Sequence, residues 1–212
     1  MTKFSALVVI ATQNRHKVRE IRKILGRPSF AVRGLDDFGL AYKVRETGKT
    51  LAANALLKAR AAAGRTGRLC LADDTGLEVD ALHGAPGVYS ARFAGPACSY
   101  EDNNRKLLRV LDGEKRRTAR FRCVVAVVLP DGRERLFEGV CAGRILRERR
   151  GSQGFGFDPL FQPAGHKKSF AEMSLRQKNR ISHRSRAFLK ARKFLQGLYR
   201  RSPSLFAVSS EK

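Results

Sequence analysis

The sequence lacks several features that would assign it to other classes of protein. No apolar run in its 212 residues approaches the roughly 20 residues that a membrane-spanning helix requires. The first apolar run leads directly into the polar and basic segment Asn14–Lys17, so we expect no secretion signal. The four cysteines lie far apart, without a C-x-x-C pair, which argues against a zinc site or a redox pair. This cysteine usage suits the reducing cytoplasm, where we expect the protein to reside.

Acidic residues are scarce: 19 Asp and Glu stand against 43 Lys and Arg, which gives a formal net charge of +24. The electric field of such a positive charge attracts nucleotides, nucleic acids or acidic lipids. A basic, solvated surface without a partner explains the charge equally well, because net charge governs solubility and association more than specific function. The length and the 42% content of hydrophobic residues favour one folded domain over residues 1–200, with a frayed tail at 201–212.

Hydrophobic periodicity predicts strands and helices that alternate in the first part of the chain. A hairpin signal, Pro130–Gly132, follows in the second part. A mixed sheet flanked by helices is therefore expected. The predicted strands cover residues 6–11, 69–72, 77–79, 120–129 and 133–145, and the predicted helices cover 14–25, 50–63, 100–111 and 183–198.

The junction between the first strand and the first helix is a candidate phosphate site. Asn14 is a plausible N-cap, and a helix start presents backbone N–H groups beside Lys17. The segment is not a Walker loop, because the two glycines and the Gly-Lys-Ser/Thr ending are missing. Taken alone, Thr12–Lys17 is better explained as an ordinary helix cap with basic surface residues.

Three acidic residues form a candidate metal site: Glu46 and the pair Asp73 and Asp74, which ends a predicted strand. Mg²⁺ takes one or two carboxylates from a protein and completes its octahedron with waters and substrate phosphates. A tight turn, in which both aspartates bond the backbone, explains the pair equally well. Asp74-Thr75-Gly76 also resembles the aspartic-protease signature. That match is weak, because one triplet alone would require a symmetric dimer and Asp73 puts a charge where the signature has an apolar residue.

A glycine-rich loop and a basic segment follow in the second part of the chain. In Gly154–Pro159, glycine permits close backbone approach and an exposed aromatic ring can stack on a base. For Phe157 we favour a place in the core. The basic segment Lys178–Arg184 can neutralise phosphates or contact a purine edge, although a solvated basic helix has the same composition. Of the histidines, His183 is the best functional candidate, because it stands beside Arg184 at a predicted helix start.

These segments, in this order, resemble the inosine/xanthosine triphosphate pyrophosphatase family over nearly the whole chain. Each segment is a weak or moderate signal alone, and the ordered set is highly specific. The matching segments are Ala11–Lys17, Glu46–Leu51 with Asn54 and Lys58, Ala72–Leu82, Gly84–Gly95, Gly154–Pro159, Phe170–Met173 and Lys178–Arg184.

The resemblance implies an α/β fold that is ITPase-like or Maf-like: an elongated mixed sheet flanked by helices, in two lobes with a central cleft. It implies a homodimer that hydrolyses ITP, dITP and XTP to the monophosphate and pyrophosphate with Mg²⁺. It implies no membrane partner and no specific nucleic-acid partner. By position, Asp74 is the general base and a metal ligand, Glu46 is the second metal-linked carboxylate, and Asp73 has a supporting role. The implied substrate-binding residues are Thr12, Gln13, Asn14, Arg15, His16, Lys17, Lys58, Thr75, Phe155, Gly156, Phe157, Asp158, Lys178, His183 and Arg184.

Four positions depart from the family pattern without removing a charged candidate. We therefore expect activity, with the ranking of substrates undetermined. A donor such as Arg184 would favour a 6-oxo purine over adenine, because adenine presents an amino group at that position. The departures are Gln13 where glycine is common, Leu51 for phenylalanine, Thr75 for serine and Phe157 for tyrosine.

Overall fold

The strands of the chain form one mixed sheet. The computed structural model describes residues 6–26, 30–40 and 44–206, and within these ranges the strand order is β2-β1-β3-β5-β6-β7, with β4 paired to β3. Strand β1 runs parallel to β2 and β3, whereas β4 is antiparallel to β3 and β7 is antiparallel to β6. The strands are β1 (Ala6–Ile10), β2 (Phe30–Gly34), β3 (Cys70–Val79), β4 (Pro86–Gly87), β5 (Thr118–Val128), β6 (Glu134–Ile145) and β7 (Phe161–Pro163).

Five α-helices accompany the sheet in the same ranges: α1 (Arg15–Leu25), α2 (Leu51–Thr66), α3 (Tyr100–Val110), α4 (Leu175–Ile181) and α5 (His183–Arg201). The mixed sheet with helices confirms the predicted fold class. Four helices were predicted within a few residues of their bounds. Helix α4 and strands β2, β4 and β7 were not predicted. None of the helices in the described part of the chain is long and apolar enough to cross a membrane.

The chain divides into two compact units. Unit 1 comprises residues 1–74, 124–138 and 187–212, and unit 2 comprises residues 75–123 and 139–186. The chain therefore passes between the units within β3, β5, β6 and α5.

In unit 1, β1 lies between β2 and β3. All five residues of β1 are buried, as expected of a strand with a parallel neighbour on each side. Helix α2 buries Ala55, Ala59 and Ala62, which recur at the spacing of one helix face, and Thr50 caps its first turn through the N–H of Ala53.

The structure corrects the first part of the predicted frayed tail, residues 201–206. Residues 203–206 form a short 3-10 helix, and the side chain of Phe206 is buried. Its ring lies 6.2 Å from that of Phe30 and 5.4 Å from that of Tyr199. The apolar contact holds the chain to residue 206, and residues 207–212 lie outside the described part.

Strand β3 corrects the prediction for the acidic pair. The sequence predicted two short strands, 69–72 and 77–79, with Asp73 and Asp74 between them, but β3 is one continuous strand of 10 residues. Both carboxylates are buried within it, at 1% and 7% exposure. A buried carboxylate is tolerated only when it is paired or hydrogen-bonded, so the surrounding residues must supply that compensation.

Unit 2 has an aromatic core. Leu77, Leu107, Phe121, Phe161 and Phe170 are among its buried members, and Phe157 joins them, which confirms the predicted core position of that residue. The guanidinium of Arg117 has a structural role in unit 2. Arg117 donates to the backbone oxygens of three residues, Leu111, Ile145 and Leu146.

Replacing Leu107 by alanine is expected to lower the free energy of unfolding by about 2–5 kcal/mol, because the side chain is fully buried and its removal leaves a cavity. Val110→Ala, an exposed position on the same helix, is the matched control and should change stability by less than about 0.5 kcal/mol. Urea denaturation followed by circular dichroism measures both. Equal losses in the two variants would contradict the assigned core.

Candidate active site

The junction of β1 and α1 is a capped helix start in unit 1. The side-chain oxygen of Asn14 accepts the N–H groups of His16 and Lys17 at 3.0 and 3.3 Å, which confirms the predicted N-cap. Thr12 supports the cap, since its hydroxyl accepts the N–H of Asn14 at 3.2 Å. Two of the N–H groups that could bind a phosphate therefore already donate to Asn14. The side chain of Lys17 becomes the main cationic group at this junction, while Gln13, Arg15 and His16 are exposed.

Asp73 holds that lysine in place. The ammonium of Lys17 lies 3.0 Å from Oδ2 of Asp73, whose side chain is fully buried. The Lys17 side chain keeps 14% exposure, so its ammonium is held by Asp73 while part of the side chain remains accessible to solvent. This contact agrees with the supporting role expected for Asp73.

A single ammonium group joins the other two acidic candidates. Nζ of Lys58 lies 2.8 Å from Oδ1 of Asp74 and 2.9 Å from Oε1 of Glu46. Asp74 is also contacted by the buried residue Asn54, whose Nδ2 donates to Oδ2 at 3.3 Å. The structure thus brings together Glu46 and Asp74, as the sequence predicted, and places Lys58 between them.

Burial and charge oppose each other in this cluster. Burial raises the pKa of Asp74 above its ordinary value, and the charges of Lys58 and Lys17 only partly offset that rise. Burial alone would lower the pKa of Lys58, but Asp74, Asp73 and Glu46 outweigh it and the pKa is raised. The ammonium of Lys58 is therefore held in its charged form, and the carboxyl of Asp74 holds a proton more readily than an ordinary aspartate does.

The donor set suits a metal ion that is shared with a substrate. In residues 6–26, 30–40 and 44–206, no group of three or more His, Cys, Asp and Glu side chains could hold a metal ion. Glu46 and Asp74 nevertheless converge on one positive charge, which Lys58 supplies. Two carboxylates with completing waters and phosphates are a common environment of Mg²⁺. These residues therefore fit Mg²⁺ bound together with a phosphate ligand.

In unit 2, a buried ion pair fixes the glycine-rich loop. Nζ of Lys178 lies 2.6 Å from Oδ2 of Asp158, and both side chains are only 3% exposed. The same oxygen accepts the N–H of Phe155 at 2.9 Å. Gly154 has a φ of +79°, and a Cβ there would lie 2.1 Å from Oδ2 of Asp158. Only glycine therefore fits at this turn.

Cations surround the half-buried ring of Phe155. Nζ of Lys178 lies 5.1 Å from the ring centroid and Cζ of Arg184 lies 5.4 Å from it. Nη2 of Arg184 also donates to the hydroxyl of Thr75 at 3.2 Å, which fixes the guanidinium plane. The ring of Phe155, the two cations and the hydroxyl of Thr75 thus lie together, and base binding by this group stays a prediction.

His183 and Phe157 are buried in the aromatic core of unit 2. The His183 ring stacks on Phe121 at a centroid distance of 4.5 Å and is 2% exposed, so it is part of the aromatic core of unit 2. Ser182 precedes the last helix, and its hydroxyl accepts the N–H of Ser185 at 3.2 Å. Substrate contact by His183 stays a prediction.

Sequence reasoning missed two supporting residues. Asn54 was not assigned a role, although it lies four residues before Lys58, so that both side chains are on one face of α2. Two polar residues at this spacing in an alanine-rich helix could have indicated, from the sequence alone, that Asn54 belongs to the site. Asn104 was also missed; its Nδ2 donates to the backbone oxygen of Gly156 at 3.0 Å. Nothing local in α3 marks Asn104 as a contact of that loop.

Comparisons with known proteins agree with this arrangement. The model of the Ham1 family matches residues 8–194. A relative named dITP/XTP pyrophosphatase, from Desulforamulus reducens, is 51% identical over 194 residues, which cover 91% of this chain and 96% of the relative. A HAM1 protein from Coxiella burnetii has a similar structure, with a TM-score of 0.81 and 36% identity over 90% of this chain and 98% of its own. The Ham1 protein from Staphylococcus aureus gives 0.80 and 40% over the same shares. The small all-β fold of an aspartic protease is thereby excluded, and that interpretation of Asp74-Thr75-Gly76 is wrong.

Removing the charge of Lys178 is expected to destabilise the protein strongly, because Asp158 would remain as an uncompensated buried charge. Lys178→Met should lower the free energy of unfolding by about 3–5 kcal/mol. Arg180→Met, at an exposed position of the same helix, is the matched control and should be near neutral. Thermal denaturation of both variants is the measurement, and a near-neutral Lys178→Met would argue against a buried ion pair.

Proposed function

Because this chain belongs to the Ham1 family, we propose that it is a nucleoside triphosphate pyrophosphohydrolase that cleaves dITP, ITP and XTP to the monophosphate and pyrophosphate. The observation that carries the proposal is the Glu46–Lys58–Asp74 cluster, in which the buried carboxylate of Asp74 and the half-buried carboxylate of Glu46 converge on one ammonium group. The name dITP/XTP pyrophosphatase of several relatives supports the same reaction.

The polyphosphate is assigned to the residues at the start of α1. Hydrolysis at the α-phosphorus requires charge neutralisation and alignment rather than a covalent intermediate. Lys17 offers an ammonium group that Asp73 fixes in direction. The start of α1 adds the positive end of the helix dipole. Together these groups stabilise the charge that accumulates as pyrophosphate leaves.

Asp74 is assigned to the attacking water. Its carboxylate accepts a proton from the water or orients it toward the α-phosphorus. Lys58 and Asn54 hold both of its oxygens, so the direction of the lone pairs is fixed before the substrate binds. Mg²⁺ held by Glu46 and Asp74 would supply charge neutralisation on the phosphate oxygens.

The purine is assigned to the group around Phe155 in unit 2. The ring offers a stacking surface, and the buried guanidinium of Arg184 offers N–H donors. A 6-oxo purine accepts such a hydrogen bond, whereas the amino group of adenine would leave a buried donor without a partner. This chemistry favours inosine and xanthosine nucleotides over ATP.

Three further properties belong to the same proposal. We propose a homodimer on the basis of the family resemblance. We propose a cytoplasmic location, which the four free cysteines support. The charge of +24 is assigned to a general attraction of nucleotides, with no specific nucleic-acid partner.

The reaction is tested with dITP, ITP, XTP, ATP and GTP, each with and without Mg²⁺, by measuring released pyrophosphate. We expect release from the first three nucleotides, dependent on Mg²⁺, and a much lower kcat/KM for ATP. Asp74→Asn is nearly isosteric and should lower kcat by at least ~10²-fold while the circular dichroism spectrum is unchanged. A chain that released no pyrophosphate and instead bound oligonucleotides tightly, in a salt-sensitive manner, would belong to a different functional class.

The pH dependence reports on Asp74. The carboxylate acts in its ionised form, so activity falls as the pH is lowered through a pKa that burial has raised above the ordinary 3.8. Lys58 lowers that pKa, so Lys58→Met should move the acid limb of kcat/KM to higher pH. Lys49→Met, an exposed lysine nearby, is the control and should leave the limb in place. An acid limb that Lys58→Met does not move would show that Asp74 is not the titrating base.

A further inference from the structure

Asn54 forms an internal bridge between two segments of unit 1. Its side chain is completely buried, at 0% exposure, in a helix whose other buried positions are alanine and leucine. The Oδ1 atom accepts the N–H of Gly48 at 2.8 Å, and the Nδ2 group donates to Oδ2 of Asp74 at 3.3 Å. A buried amide with both ends hydrogen-bonded has one orientation available, because reversing it would place like partners against each other. We call Gly48, Asn54 and Asp74 the Asn54 bridge.

The bridge has no room for a side chain at residue 48. A Cβ added to Gly48 would lie 2.6 Å from Oδ1 of Asn54 and 2.7 Å from Cβ of Ala53. The backbone of residue 48 therefore approaches the start of α2 closely. Glu46 lies two residues earlier in the same segment, so its backbone position depends on that approach.

The bridge connects the two carboxylates through a second route besides Lys58. Lys58 contacts both side chains directly, at 2.8 and 2.9 Å. Asn54 instead joins the carboxylate of Asp74 to the backbone that carries Glu46. An ammonium on a flexible stem can move when another cation arrives, but a buried amide hydrogen-bonded to a backbone N–H is rigid. The spacing of the two carboxylates is thus set by Asn54 rather than by Lys58.

We propose that Asn54 is a positioning residue that sets the separation of Glu46 and Asp74 for a divalent cation. This inference rests on the proposed function for its catalytic consequence. It makes a separate claim about metal affinity. Residues that orient metal ligands from behind commonly change metal affinity or activity by about 10–100-fold when they are removed. We expect a change of that size, together with a fall in kcat that exceeds any change in KM, because the groups assigned to the phosphates and the purine are untouched.

The test compares Asn54→Ala with Asn103→Ala. Asn103 is a matched control: it is 2% exposed, its Oδ1 accepts the N–H of Ala94 at 2.8 Å, and its Nδ2 donates to the backbone oxygen of Ala91 at 3.3 Å. It contacts neither carboxylate of the cluster. Oδ1 of Asn103 also accepts the S–H of Cys98 at 3.3 Å. Each variant thus loses a buried amide that accepts one backbone N–H and donates one side-chain N–H. Any loss that is only structural should therefore be similar in the two.

Mn²⁺ binding, measured without nucleotide by electron paramagnetic resonance titration, is the primary measurement. Asn54→Ala is expected to weaken Mn²⁺ binding by about 10–100-fold, whereas Asn103→Ala should bind as the unmodified chain does. Urea denaturation should show similar losses of stability in both. Equal Mn²⁺ affinities in the two variants would overturn the inference, and so would an unmodified chain that binds no Mn²⁺.

Gly48→Ala provides a second route if Asn54→Ala does not fold. It lengthens one side of the bridge without removing a polar group, at a half-buried position, and should also weaken Mn²⁺ binding. When Gly48→Ala and Asn54→Ala are combined, the loss of Mn²⁺ affinity should be smaller than the product of the two single losses, because both substitutions act on one bridge. A loss of Mn²⁺ affinity in the double variant equal to that product would contradict the Asn54 bridge. Failure of the proposed function is recognised separately: no nucleotide would release pyrophosphate, while the Mn²⁺ comparison would still decide the role of Asn54.

Discussion

The cluster of Glu46, Lys58 and Asp74 depends on charge compensation away from bulk water. A carboxylate buried in a strand is tolerated only if other groups replace the lost hydration. Lys58 and Asn54 provide that replacement for Asp74, and Lys17 provides it for Asp73. These three residues come from α1 and α2, so both helices must be placed before β3 can bury its acids. The requirements of folding and the assigned chemistry therefore fall on the same contacts.

Unit 2 depends on a different interaction, a buried ion pair. Its ion pair between Lys178 and Asp158 is nearly inaccessible to water, so it contributes geometry more than stability. Asp158 also accepts the N–H of Phe155, and the ammonium of Lys178 and the guanidinium of Arg184 both lie close to the ring of that residue. Ring faces attract cations, and guanidinium groups stack as well as donate. A purine would meet a surface that is preorganised in both respects.

Much of this organisation could be predicted from the sequence because it is local or ordered along the chain. The N-cap at Asn14, helix α2 and the core position of Phe157 follow from periodicity and capping chemistry. The course of β3 could not, because a local pattern assigns adjacent aspartates to a turn and the compensating lysines lie 56 and 16 residues away. Phe206 was missed for the same reason: its partners, Phe30 and Tyr199, belong to other elements. Asn104 contacts a loop 52 residues further along the chain, a distance over which no short-range pattern extends.

The continuity of β3 through the acidic pair has a consequence for how this sequence can vary. Successive residues of a strand point to opposite faces of the sheet, so Asp73 turns toward Lys17 and Asp74 toward Lys58. The pleat therefore separates the acid that pairs with Lys17 from the neighbouring acid to which we assign the attacking water. One residue inserted or deleted just before the pair would exchange their faces and reverse the two assignments. Loops of the protein can change in length, but the number of residues in β3 before the acidic pair has to stay the same.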